Sequence, residues 1–208
     1  MKNEKRQDKW VSLDISQPIW GRVFTVAPLV VIGTKEGEEY DLAPKHMVTP
    51  LGHDNFFGFV CTPKHATYHN AKKEKAFTVS FVTPKQVVLA SLTATPRCDD
   101  FDGVPVVKHI PTQKGREVDA LIVQDAYLCL ECRLDRIVDG FGDFSLIAGE
   151  IIAAYVNKEA LRISEADDAQ LIEDNPMLAY LAYGRFAEIK ESKAFPFPKD
   201  FDQKVLTK

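Results

Sequence analysis

The hexapeptide Thr62-Pro63-Lys64-His65-Ala66-Thr67 concentrates the functional groups that hold an oxyanion: two hydroxyls, one permanent cation, one titratable imidazole and the start of a helical stretch. A helix start adds free backbone amides and the positive end of the helix dipole, so the segment reads as a phosphate-type anion site. The same residues also make an ordinary capped turn with solvent-facing charge. Cys129-Leu-Glu-Cys132 has the C-x-x-C spacing of a metal or redox pair, but it lies within the strand-like run Ala126 to Ile137. Residues three apart on a strand face opposite sides, so these two read as strand cysteines and no metal site is expected.

The elements that must carry the anion loop are mostly short strands. Arg22 to Thr34 is rich in Val and runs into Lys35-Glu36-Gly37-Glu38-Glu39, a turn that predicts a hairpin. Asn55 to Cys61 and Phe77 to Val82 read as strands from aromatic content and period-two alternation. Between them, Thr67 to Ala76 predicts a short helix, with Thr67 as N-cap and Asn70 at the capping-box position. Thr83-Pro84 opens a second helical window, Lys85 to Ala94.

Thr95 to Val118 holds three prolines and two glycines and is expected to be irregular. Two long strands, Ala126 to Ile137 and Phe144 to Val156, flank Val138 to Asp143, where Asp139-Gly140 is the hairpin signal. Asp168 to Glu173 predicts a helical turn that Asn175-Pro176 ends, and the tail Phe195-Pro196-Phe197-Pro198 is expected to lie over a surface. A mainly β barrel with flanking helices uses this many strands while leaving few open edges.

Composition narrows the partners. Across 208 residues, 26 basic and 30 acidic side chains give a formal charge of -4, with no basic stripe interleaved with aromatics, so nucleic acid is not expected. Residues 1–20 read as a polar N-terminal arm without a secretory core, and the apolar run Leu146 to Val156 is too short to span a bilayer. One cytoplasmic domain over 1–208, with a tail at 190–208 and reduced thiols at Cys61, Cys98, Cys129 and Cys132, is the expectation.

The order of motifs resembles the flavin reductase-like, FMN-binding split β-barrel family, a Greek-key barrel. Asp41-Leu42-Ala43-Pro44 follows a hairpin, an aromatic strand leads to the Thr-ended loop, and Tyr68-His69-Asn70 and a helix precede F-T-V-S-F-V at Phe77 to Val82. Gly142-Asp143-Phe144, Gly149-Glu150-Ile151 and Tyr183-Gly184-Arg185-Phe186 then resemble later family landmarks over roughly Val23 to Ile189. The resemblance implies FMN, with FAD as the alternative, held at its phosphate by Thr62, Lys64, His65, Ala66 and Thr67. Along the ring edge it implies Ala43, Lys45, His46, Met47 and Thr49, with Phe144, Tyr183 and Arg185 on the substrate side.

It also implies a homodimer, NADH or NADPH as co-substrate and an electron-accepting partner protein. Family members often have Ser or Thr where His46 stands, an aromatic near Lys45, and His where Phe144 stands. His46 also reads as a structural surface histidine, and Tyr183 to Phe186 as core or interface packing. No G-x-G-x-x-G fingerprint is present, which argues against a Rossmann site for the nicotinamide. A flavin-holding carrier or store and a flavin-free barrel for apolar ligands are the rival functions.

Overall fold

The computed structural model describes residues 10–94, 106–163 and 168–198. Cys98, much of the 95–118 stretch, the first part of the arm and the tail beyond 198 therefore lie outside the described residues. Twelve strands and three α-helices make up most of the rest. The main sheet has seven strands in the order β3-β2-β6-β9-β10-β5-β4. These are β2 (Val30–Glu36), β3 (Glu39–Lys45), β4 (Val48–Pro50), β5 (Phe56–Cys61), β6 (Ala76–Phe81), β9 (Leu128–Phe141) and β10 (Phe144–Val156). Its two outermost strands, β3 and β4, are separated in the chain only by His46-Met47, so the sheet has to curl until its edges approach. That curl is the split barrel.

The expected first strand is two strands in two sheets. β1 (Thr25–Pro28) pairs with β11 (Met177–Ala182), which pairs with β12 (Arg185–Ile189), while β2 joins the barrel after a single linking residue, Leu29. Pro28 has no amide to donate to a ladder, and the chain changes sheet there. Neither β4 nor the β11–β12 hairpin is apparent in the sequence pattern, since β4 is three residues long and β12 is almost wholly exposed.

The helix α1 (Ala66–Glu74) starts earlier than expected, with His65 as an N-cap whose side chain makes no capping bond. Thr67 is therefore inside the first turn, and Asn70 donates to the Thr34 hydroxyl at 3.3 Å in place of forming a capping box. The second window begins as predicted: Thr83 and Gln86 cap each other around a 3-10 turn, Pro84–Gln86, which continues into α2 (Val87–Leu92). The β9–β10 turn lies at Gly142-Asp143, with Asp139-Gly140 still inside β9. Gly140 takes its positive φ of 104° within the strand, so that Asp-Gly step marks a distortion of the stave and not its end.

Both faces of β2 are covered. Val30 and Ile32 join Phe57, Phe59, Phe77, Val79, Leu130, Cys132 and Ile147 in one core. Val31 turns the other way, to Leu42, Val82, Ala90, Ile110, Val123 and Leu178. Cys132 faces Phe77 across the β6 ladder and Cys129 faces Ser80, so the two thiols point to opposite sides of the sheet. Burial pushes the Cys129 thiol up to about 11 and the Cys132 thiol up to about 12, which keeps both protonated and unreactive at neutral pH. Among the described residues, no group of three metal-ligating side chains assembles and no helix is long and apolar enough to cross a membrane.

The stretch expected to be irregular up to Val118 contains a 3-10 turn, Val106–His109, and the short strand β7 (Thr112–Lys114), which pairs with β8 (Leu121–Val123). Its loop is clamped by Glu131 on β9, a wholly buried carboxylate that accepts the backbone N–H groups of Arg116, Glu117 and Val118 at 2.9, 2.8 and 2.7 Å. Gly115 makes room for this, because a Cβ there would come within 2.7 Å of the Glu131 carboxylate. The last α-helix, α3 (Asp168–Asp174), ends before Asn175-Pro176 as expected. The tail lines a cleft of about 1290 Å³ with α3 and Thr83-Pro84-Lys85, and no residue of Thr62 to Thr67 borders it.

Removing the Glu131 carboxylate leaves three amides of the 116–118 loop unpaired. Glu131→Ala is expected to lower stability by about 3 kcal/mol or more, with Glu131→Gln losing less, read from urea unfolding midpoints. A loss below about 1 kcal/mol for the alanine variant would show that the clamp contributes little.

Candidate functional site

The barrel brings the two predicted segments to one corner. Asp41, near the middle of β3, is mostly buried, and the Thr67 hydroxyl from the first turn of α1 donates to its carboxylate at 2.9 Å. This bond ties the helix start to the strand that runs into Lys45 and His46. Burial raises the Asp41 carboxyl above its ordinary range, while the Thr67 bond and the nearby Lys45 and His65 charges oppose that rise. Cys61, at the end of β5, is a buried thiol whose pKa burial also raises, with Lys45 close enough to hydrogen-bond it and pull the other way. Lys45, His65, Asp41, Thr67 and Cys61 are thus one neighbourhood, though they come from β3, β5 and the helix start.

The loop itself is pinned from several sides. The His65 amide donates to the Thr62 carbonyl at 3.0 Å, the Lys64 amide reaches the Thr62 hydroxyl at 3.3 Å, and His69 Nε2 lies 2.7 Å from the Pro63 carbonyl. Thr62 is buried, whereas Lys64, His65 and Ala66 are exposed. Among the described residues, the amides of Ala66 and Thr67 donate to no protein acceptor, so two N–H groups at the positive end of a nine-residue helix remain open. That is the donor set an oxyanion needs.

Lys64 is held by Asp143 from the β9–β10 turn at 2.7 Å, with both side chains largely exposed. Lys64 in turn draws the Asp143 carboxyl below its usual range. Three residues outside the predicted set support this turn. Asp139 accepts from the buried Ser145 hydroxyl at 2.6 Å and from the Tyr68 hydroxyl at 3.2 Å, joining the β9–β10 hairpin to α1. Only the fold brings Asp139 to Tyr68, which lies 71 positions away in the chain.

Phe144 opens β10 opposite Phe141, and both rings are about half exposed at the hairpin tip. Ala43 and Lys45 pair with Ile32 and Val30 along β2, and the Met47 carbonyl accepts from the Val60 amide at 2.8 Å. Thr49 pairs with Gly58 in the β4–β5 ladder. His46 is half-buried, its ring 4.6 Å from that of Tyr180 and 6.4 Å from that of Tyr183. The structure thus joins the predicted ring-edge segment to Tyr183, with Arg185 exposed just beyond the same hairpin turn, while Phe144 follows Asp143, the partner of Lys64, at the β9–β10 tip.

A family model for a flavin reductase like domain matches residues 22–185. The chain belongs to the flavin reductase-like family. No curated protein matches it significantly. Solved structures share its fold. An FMN-binding protein from Thermus thermophilus with bound 1-cyclohex-2-enone is 22% identical over 89% of this chain and 99% of that one, with a TM-score of 0.73. Flavoredoxin from Methanosarcina acetivorans is 16% identical over 95% and 99%, with a TM-score of 0.72. The NADH:FAD oxidoreductase of Streptomyces globisporus is 19% identical over 78% and 86%, at 0.62. The flavin reductase-like match takes in both halves of the corner, the segment after β3 and the loop before α1.

Two imidazoles at this corner give it a pH signature. Burial first, and then the Lys45 cation, holds both His46 and His65 below their ordinary value of 6.5; for His65, Asp41 acts in the opposite sense. The unfolded chain therefore takes up protons before the folded one. Stability from these groups is complete above about pH 6.5 and is lost as the pH falls through their folded values. A His46→Gln, His65→Gln double variant should flatten that decline, measured as urea midpoints from about pH 7.5 down to about 5. An unchanged slope would assign the acid loss to other groups.

Proposed function

We propose that this protein is an FMN-binding flavoprotein that acts as an NAD(P)H-dependent flavin reductase, with FAD as the alternative flavin. The observation that carries the reading is the pair of open amides at Ala66 and Thr67 beside Lys64, His65 and Lys45, an arrangement that fits a terminal phosphate. In this reading Thr62, Lys64, His65, Ala66 and Thr67 hold the phosphate. Ala43, Lys45, His46, Met47 and Thr49 run along the edge of the flavin ring. Phe144, Tyr183 and Arg185 face the incoming nicotinamide. Bound flavin supplies the redox chemistry, taking hydride at N5 as NADH or NADPH becomes its oxidised form.

What the chain contributes is positioning. Thr67, fixed to Asp41, sets the helix start relative to β3, so the anion site and the ring-edge segment keep a constant separation. No side chain has to move a proton in the hydride step. Phe144 offers an aromatic face without an acid or base, which suits stacking against a flat ring. The same absence favours the second reading, a flavin carrier or store with little reductase activity.

The reading extends to a cytoplasmic homodimer that passes electrons to free flavin or to a partner protein. Phe24, Val26 and Phe186, all more than half exposed on or beside the small β1-β11-β12 sheet, support a second copy there.

The protein as purified is expected to carry a flavin absorption spectrum, or to take up FMN with a rise in melting temperature. Lys64→Ala should weaken FMN binding roughly tenfold while leaving riboflavin, which lacks the phosphate, little affected. Asp143→Asn, which releases Lys64 from its ion pair, should tighten FMN about two- to threefold. Anaerobic mixing with NADH and NADPH then separates the readings: rapid bleaching marks a reductase, a lasting yellow colour a carrier. Equal affinity for FMN and riboflavin, unaltered by Lys64→Ala, would overturn the phosphate assignment.

A further inference from the structure

His46 carries an aromatic contact that the anion site does not require. Its ring lies against Tyr180 at 4.6 Å and 33°, a tilted stack, and meets Tyr183 edge-on at 6.4 Å and 84°. Tyr180 belongs to β11, and its hydroxyl accepts the amide of Gly184 at 2.9 Å. Gly184 follows Tyr183 in the β11–β12 turn, where its φ of +79° suits glycine. The turn is otherwise lightly held: Tyr183 is 59% exposed, and among the described residues β12 has β11 as its only ladder partner.

We propose that His46 is a positioning residue, a ring that pins the β11–β12 turn and thereby sets Tyr183 and Arg185 over the segment from Ala43 to Thr49. The chain of contacts is continuous. The His46 ring fixes the Tyr180 ring, the Tyr180 hydroxyl holds the Gly184 amide, and Gly184 is flanked by the two side chains assigned to the substrate side. A side chain without a ring at position 46 stacks on neither tyrosine, so the turn keeps its β11 ladder but loses the two ring contacts that hold it to the segment after β3. Those side-chain assignments, and hence the kinetic consequence, rest on the proposed function; the pin itself does not.

Hydrogen exchange at the Gly184 amide reads the pin directly. In the protein as purified, His46→Ser should speed that exchange roughly three- to tenfold, the range an aromatic pair is worth, and His46→Phe, which keeps a ring, should restore it. Tyr180→Phe should speed it as well, by removing the acceptor. In flavin-loaded protein His46→Ser should raise KM for the nicotinamide nucleotide by a similar factor, and His46→Phe should recover it.

Unchanged Gly184 exchange in His46→Ser overturns the pin, as does His46→Phe behaving like His46→Ser. Faster exchange with an unmoved KM overturns the positioning role and leaves a purely structural contact. A protein that takes up no flavin refutes the proposed function, while the exchange result still decides the pin.

Discussion

The seven-stranded sheet begins and ends on strands that are neighbours in the chain. Because only His46 and Met47 separate β3 from β4, the sheet is drawn into a curl, and the corner where its edges approach is where the 62–67 loop, the start of α1 and the 43–49 segment gather. Closing a sheet in this way needs strong coiling in the strands between, and β9 and β10 provide it through register shifts near Leu146, Gly149 and Ala153. Gly149 belongs to that geometry, since a Cβ there would meet the buried Phe77 ring at 2.6 Å.

Within the corner, one buried carboxylate does the joining. Asp41 is costly to bury, and the Thr67 hydroxyl together with the surrounding positive charge of Lys45 and His65 offsets that cost. The arrangement leaves Lys45 and His65 without a close ion pair among the described residues. It thereby suits an external anion better than a loop whose charges are already satisfied. Lys64 differs, because Asp143 on the β9–β10 turn already occupies it, so the hairpin and an incoming anion draw on the same cation.

Glu131 solves a comparable problem elsewhere by a different route. It accepts three successive amides, where Asp41 accepts the Thr67 hydroxyl, and it holds the 115–118 loop against β9. A carboxylate in the interior of a barrel strand reads, from sequence, as a solvent-facing position between two apolar ones. Its partners come from a segment whose proline and glycine content signals only irregularity.

The main barrel strands, the helix after the 62–67 loop and the helix start at Thr83-Pro84 were legible because they depend on local preferences: alternation, β-branched content and a hydroxyl beside a proline. The grouping of donors in the 62–67 loop was visible for the same reason, as they are contiguous in the chain. The break at Pro28, the hairpin turn at Gly142-Asp143, the tyrosine stack on His46 and the burial of Glu131 were not. Each is decided by which distant strand comes to lie alongside. Residue types and spacing thus determined what chemistry the chain carries, and tertiary structure decided which of those groups meet, because contact between β3, α1 and the β11–β12 hairpin is a property of sheet closure that no local window contains.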